Sequence, residues 1–254
     1  MTRIDALERE GKTIAVLFAD TKFVGIIASR DEARTDSKLA IAALTALGIK
    51  SLMLSGDNQR TATAVAAPLG MEAEGELMPA DKLDRIAALK AEMPILMVGD
   101  GVNDAPALKR ADTGIAMGRK GSEAAKEASA IVLADDNFAS IVAAIREGRT
   151  VYDNIKKVIS FEIPTSAGEA LTIIFALLLG MALPVTAVQI LWVNLITGIT
   201  LGIALAFEPT ENNTMRRPPR PRDEPLLTGG LVWHIILVSL LFLAGVFGVY
   251  AFAI

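Results

Sequence analysis

The residues best suited to chemistry lie in a glycine-rich turn that follows a short apolar run, Ile95–Val98. The turn reads GDGVND, and its Asp100, Asn103 and Asp104 side chains crowd beside two glycines. Glycine lets the backbone turn sharply and approach a ligand closely. Carboxylates this near to one another repel unless a positive ion lies between them, and a hard cation such as Mg²⁺ prefers oxygen ligands. The turn indicates a cation site, although a Gly-Asp-Gly turn with a polar cap has the same pattern.

Two further polar positions follow the same order of strand, turn and helix. Ser55–Asn58, which reads SGDN, comes after an apolar run, and a helix predicted to begin near Arg60 could face an anion with its N-terminus. Lys82 lies in the first turn of a helix that is predicted to begin at Pro79. Taken alone, SGDN is more often a helix cap and Lys82 a solvated residue, so both assignments depend on the motifs around them.

The elements that must position these residues alternate between strands and helices. Such alternation indicates a mostly parallel sheet covered by helices on both faces. Because ligand crevices in these sheets lie at the carboxyl ends of the strands, the three turns are expected at one edge. An N-terminal hairpin of Thr13–Ala19 and Phe23–Ser29 comes first, and the later predicted strands are Lys50–Leu54, Glu74–Leu77, Ile95–Val98, Thr113–Met117 and Ile131–Leu133.

The composition indicates a chain that is part soluble and part embedded in a membrane. Of the 254 residues, 52% are hydrophobic and 21% are charged, and the mean hydropathy is +0.44. One soluble α/β domain with a few membrane spans fits these values, and spans are predicted at about 158–180, 185–207 and 231–254.

The charge and the cysteine content exclude some functions. The net charge of −4 argues against nucleic acid as a partner. The absence of cysteine excludes disulfides and thiolate metal sites.

The predicted spans contain a few polar side chains. Glu169 lies inside the first span, where a carboxylate is costly and functional by default. Glu162, nearer to the start of that span, is a weaker candidate. Asn194 and Thr197 in the second span are three residues apart and share a helix face. Arginines before the third span predict a cytoplasmic loop there; they are Arg216, Arg217, Arg220 and Arg222.

The full string GDGVNDAPAL resembles the hinge motif of the P-type cation-transporting ATPases. SGDN is similar to the TGD motif of that family, with Ser55 in place of threonine, and Lys82 resembles its invariant phosphoryl-binding lysine. Ala134–Lys157 resembles the passage from the catalytic domain into the fifth membrane helix. The resemblance implies an α/β haloacid-dehalogenase-like (Rossmannoid) catalytic domain followed by α-helical transmembrane segments.

The membrane part resembles the calcium-type pumps of that family. TSAGEAL and WVNLITG are similar to their ion-site segments, which implies that Glu169, Asn194 and Thr197 bind the transported ion. Two positions depart from the family pattern, since Ser166 stands where asparagine is usual and Gly198 where aspartate is usual. Loss of that carboxylate lowers the negative charge of the site. The cation is therefore left open between a divalent metal, a monovalent ion and a proton.

The resemblance also implies Mg²⁺ and ATP as cofactors and a division of the chain into three parts. Residues 1–30 would be the tail end of a nucleotide-binding domain, 31–150 part of the phosphorylation domain, and 151–254 a membrane region of three helices. Asp31 matches an acidic hinge position, and a solvated loop is an equally good interpretation.

The resemblance also implies a set of site residues. Those implied for catalysis are Lys82, Asp100, Asn103 and Asp104, of which Asp100 and more weakly Asp104 would bind Mg²⁺. Those implied for binding the phosphoryl group or nucleotide are Ser55, Gly56 and Asp57.

Some parts of such a pump have no counterpart in the sequence. It contains no DKTGT string, which carries the phosphorylated aspartate in that family. The resemblance therefore implies the C-terminal part of a pump, with lipid, an inorganic cation and the N-terminal part as partners. The expected location is the cell membrane. The chain would cross it several times, with the α/β domain in the cytoplasm. ATPase activity is not expected of the isolated chain.

Two other functions are compatible with the residues. The first is a catalytically inert membrane protein that binds or regulates another pump. The second is a phosphatase of the haloacid-dehalogenase type, which would need its own nucleophilic aspartate at a strand end. Asp31 and Asp36 do not follow a convincing buried strand, so the phosphatase is the weaker alternative.

Overall fold

The computed structural model describes residues 4, 6–7, 10, 12–30, 35–221 and 223–253. The chain divides into two compact units, of which the first is Met1–Ile145 with Met215–Arg222 and the second is Arg146–Thr214 with Asp223–Ile254. The predicted domain boundaries after residues 30 and 150 stay predictions. Asp31 and Arg222, which the sequence analysis singled out, lie outside the described residues.

The first unit contains the predicted hairpin, which the strand pairing confirms. Strands β1 (Lys12–Ala19) and β2 (Lys22–Arg30) pair antiparallel. The rings of Phe18 and Phe23 meet edge to face with their centroids 6.1 Å apart, yet these residues are 62% and 60% exposed. Aromatic rings that are this exposed leave much apolar area in water, so the hairpin has an uncovered apolar surface.

The rest of the first unit alternates between strands and helices, as the apolar runs predict. Its helices are α1 (Thr35–Ala46), α2 (Gln59–Ala66), α3 (Pro79–Glu92), α4 (Ala105–Arg110) and α5 (Glu123–Ala128). Its strands are β3 (Leu52–Leu54), β4 (Glu72–Glu74), β5 (Leu96–Gly99), β6 (Thr113–Met117) and β7 (Ile131–Leu133).

The parallel strands form two hydrogen-bonded groups, where the sequence predicted one sheet. Strand β3 pairs with β4, and β5, β6 and β7 pair in that order, all of them parallel. Among the described strands, β3 and β5 therefore each have one edge without a strand partner. Since β3 and β5 are not paired with each other, the predicted parallel strands are present but form two sheets.

Strand β4 also lies earlier in the chain than the predicted Glu74–Leu77. The backbone turns at residues 75 and 76, where Glu76 has a φ of +58° and leaves the extended conformation. The side chain of Gln59 fixes this turn, because its Oε1 accepts from the Gly75 amide at 2.6 Å and its Nε2 donates to the Ala73 carbonyl at 2.8 Å. A contact sixteen residues away therefore decides where the strand ends.

The core of the first unit lies on both faces of the three-stranded sheet. Met97 and Ala116 face a cluster with α3, α4 and α5, and Leu54 of β3 packs against that same cluster. On the other face Ile115, Met117 and Leu133 pack with Ile141. Burial of both faces explains why the strands are short uninterrupted apolar runs, as expected for a parallel α/β sheet.

The second unit is built from long apolar helices. Helix α6 (Phe138–Leu178) has 41 residues, so it begins about twenty residues before the first predicted span. Helices α7 (Ala187–Ala206) and α8 (Gly229–Ala253) match the other two predicted spans to within a few residues. All three are long and apolar enough to cross a membrane. Pro164 lies inside α6, fully buried.

The start of the membrane region is held together by hydrogen bonds from α6 to the segment after α7. Asn154, which is 4% exposed, donates to the carbonyls of Ala206 at 3.1 Å and Glu208 at 2.8 Å. Lys157 Nζ binds the carboxylates of Glu208 at 2.7 Å and Glu211 at 2.8 Å. The last carbonyls of a helix have no partner within it, so Asn154 satisfies the end of α7 and joins it to α6.

Candidate functional site

The GDGVND turn lies at the carboxyl end of β5, where the sequence placed it. Strand β5 ends at Gly99, and one turn of 3-10 helix, Val102–Asp104, leads into α4. Asp104 folds back across the turn, and its Oδ2 accepts from the Gly101 amide at 3.2 Å. A Cβ at position 99 would lie 2.9 Å from the Asp104 Cβ, so this position requires glycine. The glycine thus gives the Asp104 side chain its place against the strand end.

Lys82 reaches this turn from the first turn of α3. Its Nζ lies 2.9 Å from Asp104 Oδ1, and the two side chains are only 15% and 14% exposed. The entrance to α3 is fixed by Asp81, whose Oδ2 accepts from the Met78 amide at 2.9 Å. The sequence alone gave Lys82 no partner, and the tertiary structure pairs it with a residue twenty-two positions away.

The SGDN turn is a compact loop that adjoins the entrance to α3. Ser55 Oγ donates to Asp57 Oδ2 and accepts from the Asp57 amide, both at 3.1 Å. The Leu77 amide donates to the Ser55 carbonyl at 3.0 Å, and the Glu76 amide to the Asp57 carbonyl at 2.6 Å. These bonds join the turn to the residues just before α3, whose first turn carries Lys82. Gly56 and Asp57 are exposed.

Asn58 confirms the helix-cap interpretation of SGDN, while the phosphoryl site stays a prediction. Its Oδ1 accepts from the Arg60 amide at 2.9 Å and caps α2. The cap uses Asn58 and leaves the Ser55 hydroxyl to the loop. A cap and a phosphoryl site are therefore compatible in this turn.

Asp100 and Asn103 are exposed, and within the described residues their side chains make no hydrogen bond or ion pair. The Asp100 carbonyl is held by the Ser122 amide at 2.8 Å, so the backbone of the turn is fixed while the carboxylate is not. Among the described residues no three acidic or histidine side chains are grouped to hold a metal by themselves. The oxygen donors of this turn fit Mg²⁺, which usually keeps several waters and takes one or two carboxylates.

In the second unit, a hydrogen bond joins Glu169 to Asn194. Asn194 Nδ2 donates to Glu169 Oε2 at 2.9 Å, from α7 to α6. Glu169 also lines a cavity of about 100 Å³ with Val193 of α7 and Phe242 of α8. The other side chains of this lining are mostly apolar. The Thr197 hydroxyl donates to the Val193 carbonyl at 2.7 Å, so its role in the site stays a prediction.

Glu162, the weaker candidate of the first span, also faces α7. Its Oε1 lies 3.6 Å from the position that a Cβ on Gly198 would occupy. The signal available in the sequence was its spacing, since Glu162 precedes Glu169 by seven residues and so lies on the same helix face.

Family models match both parts of the chain. Residues 1–112 and 89–145 match models of a haloacid dehalogenase-like hydrolase, and residues 182–254 match a model of the C-terminus of cation transporting ATPases. The probable cation-transporting ATPase F of Mycobacterium tuberculosis is 42% identical to this chain, and the match covers 89% of this chain. This chain belongs to the cation-transporting P-type ATPases. It is a membrane protein that combines a haloacid-dehalogenase-like α/β fold with apolar helices.

Other members of the P-type ATPase family show how much of a pump the chain represents. The calcium-transporting ATPase of Bacillus subtilis is 38% identical over 92% of this chain. A crystal structure of a zinc-transporting PIB-type ATPase superposes with a TM-score of 0.62 at 33% identity, covering 84% of this chain and 32% of that one. The chain spans 29% of the length of the Mycobacterium and Bacillus relatives. It therefore corresponds to one part of a pump.

Proposed function

We propose that this chain supplies the phosphoryl- and magnesium-binding half-site of an ATP-driven cation pump, together with part of its membrane ion site. The observation that carries the proposal is the Lys82–Asp104 ion pair at the end of β5. A lysine side chain that is only 15% exposed beside a glycine turn is prepared to meet a second anion there.

In this half-site each residue has a distinct task. Lys82 would share its ammonium between Asp104 and an incoming phosphoryl oxygen, and the Ser55 hydroxyl could turn from Asp57 to donate to the same group. Asp100, with Asp104 as a weaker second ligand, would hold Mg²⁺, which neutralises phosphate charge during transfer from ATP. Asn103 lies on the exposed side of the turn, where its amide can bind the nucleotide or the carboxylate that accepts the phosphoryl group.

The carboxylate that accepts the phosphoryl group would come from the N-terminal part of the pump, because this sequence contains no DKTGT. Two surfaces of the first unit suit such a partner. Strands β3 and β5 each present an edge that no described strand pairs. The hairpin exposes Phe18, Phe23 and Val24, a surface that another domain could cover.

The membrane half would bind an inorganic cation between α6 and α7. Glu169, hydrogen-bonded to Asn194 and open to a cavity, is the proposed ligand, with Thr197 nearby on α7. The relatives above are named for calcium and zinc, so their names do not fix the ion. We place the α/β unit in the cytoplasm and the three helices in the cell membrane, because basic residues precede the first span and follow the second.

The isolated chain should form no phosphoenzyme, because the accepting aspartate is missing from the sequence. Incubation with γ-labelled ATP, Mg²⁺ and a panel of cations, followed by acid quenching, should give no hydroxylamine-sensitive label. A full-length P-type ATPase treated in parallel should give one. An acid-stable, hydroxylamine-sensitive label on the isolated chain would show that its own residues accept the phosphoryl group, and the half-site proposal would then be wrong.

Asp100→Asn should weaken divalent-ion binding at the half-site by about tenfold or more, since one carboxylate ligand is lost. Mn²⁺, which also suits carboxylate and water ligands, serves as the probe, and its free concentration is followed by electron paramagnetic resonance. The matched control is Asp84→Asn, which removes an exposed carboxylate on α3. Equal effects of the two variants would mean that Mn²⁺ binds the acidic surface in general and not the GDGVND turn.

A further inference from the structure

The Glu162 carboxylate faces two glycines of α7, Gly198 and Gly202. Its Oε1 lies 3.6 Å from where a Cβ on Gly198 would be and 3.9 Å from where one on Gly202 would be. Gly198 and Gly202 are one helical turn apart and therefore lie on the same face of α7. Their missing side chains leave the room that the Glu162 carboxylate occupies between α6 and α7.

Glu162 belongs to the same polar strip as Glu169. The two residues share a face of α6 and are separated by about 10 Å along its axis, at 1.5 Å per residue. On α7 the strip continues from Asn194, which binds Glu169, to Gly198. These two residues are about 6 Å apart along the axis of α7. The contact between α6 and α7 therefore carries two carboxylates, one beside Asn194 and one beside Gly198.

The Glu162 carboxylate lacks a partner among the described residues. It makes no hydrogen bond or ion pair there, although the side chain is half-buried between two helices. The nearest basic residue in sequence, Lys157, is held by Glu208 and Glu211. A carboxylate without a partner inside an apolar segment is costly to retain, and a cation would offset that cost.

We propose that Glu162 is a second cation-binding carboxylate of the membrane ion site. It supplies from α6 the negative charge that α7 lacks at Gly198. This inference rests on the proposed transport function, and it replaces the expectation that the site has lost one carboxylate. The ligand is an inorganic cation.

The test measures ion binding by the whole chain in lipid nanodiscs. The probes are ⁴⁵Ca²⁺, ⁶⁵Zn²⁺ and ²²Na⁺, so that the charge of the bound ion is distinguished. The variants are Glu162→Gln, Glu169→Gln and the double variant Glu162→Gln with Gly198→Asp. The control is Glu147→Gln, which removes an exposed carboxylate near the start of the same helix.

We expect Glu162→Gln to weaken binding of the ion that the unmodified chain binds by about tenfold or more. The double variant should recover most of this loss, because the aspartate introduced on α7 would place a carboxylate next to the same gap. Glu147→Gln should change nothing. In the unmodified chain the bound ion should also protect Glu162 from a hydrophobic carbodiimide, a readout that needs no variant.

The outcomes separate this inference from the function on which it rests. If Glu169→Gln abolishes binding while Glu162→Gln does not, and the ion protects Glu169 alone, then the inference about Glu162 is wrong and the ion site stands. If the unmodified chain binds none of the three ions and neither glutamate is protected, the proposed ion site is wrong, and Glu162 has no such role.

Discussion

Asp104→Ala should destabilise the first unit by about 2–3 kcal/mol, because it leaves the Lys82 ammonium largely buried without its partner. This loss is smaller than the roughly 3–5 kcal/mol expected for a fully buried ion pair, because both side chains keep some exposure to solvent. The substitution also removes the acceptor of the Gly101 amide, which loosens the turn that follows β5. For a unit of this size the midpoint of thermal unfolding should fall by about 4–10 °C.

The double variant Lys82→Met with Asp104→Leu tests whether the unpaired ammonium causes this loss of stability. Removal of both charges leaves no unpaired ammonium, so the double variant should recover part of the lost stability. Recovery should be incomplete, because leucine cannot accept from the Gly101 amide. Hydrogen exchange of β5 and α4, followed by mass spectrometry, localises the effect to the first unit. Equal losses in the single and double variants would show that the ion pair contributes nothing and that Asp104 acts only through the turn.

Gly121→Ala should destabilise the first unit by about 3 kcal/mol or more, through a clash with the main chain. A Cβ at position 121 would lie 2.0 Å from the Met117 carbonyl oxygen. That carbonyl belongs to β6, which is hydrogen-bonded to β5 on one side and to β7 on the other and cannot shift freely. The neighbouring Ser122 amide holds the Asp100 carbonyl, so the GDGVND turn should be disturbed as well. Thermal unfolding and Mn²⁺ binding should both report the change.

Gly148→Ala is the matched control for this substitution. Gly148 lies within α6, and no atom is found within 4 Å of a Cβ built there. Alanine in the middle of a helix is favoured over glycine by about 0.5–1 kcal/mol, so this variant should be slightly more stable. An unfolding midpoint of Gly121→Ala equal to that of the unmodified chain would mean that β6 moves more easily than its hydrogen bonding suggests.

Most of the local structure could be predicted from the sequence because it depends on short-range patterns. The hairpin, β6, β7 and the three long apolar helices follow from apolar runs, and each is present in the structure. The strand β4 was misplaced because its end depends on Gln59, whose side chain reaches across from α2. The family could also be identified from motifs, since GDGVNDAPAL is a long and specific string.

The sequence by itself determined the alternation of strands and helices, the family and the short list of polar residues. Only the tertiary structure decided which of those residues meet: Lys82 with Asp104, Asn194 with Glu169, and Glu162 with the gap at Gly198. It also decided that β3 and β5 do not pair. The physical reason is that periodicity fixes which face of an element a side chain occupies, whereas packing between elements distant in sequence fixes what that face touches.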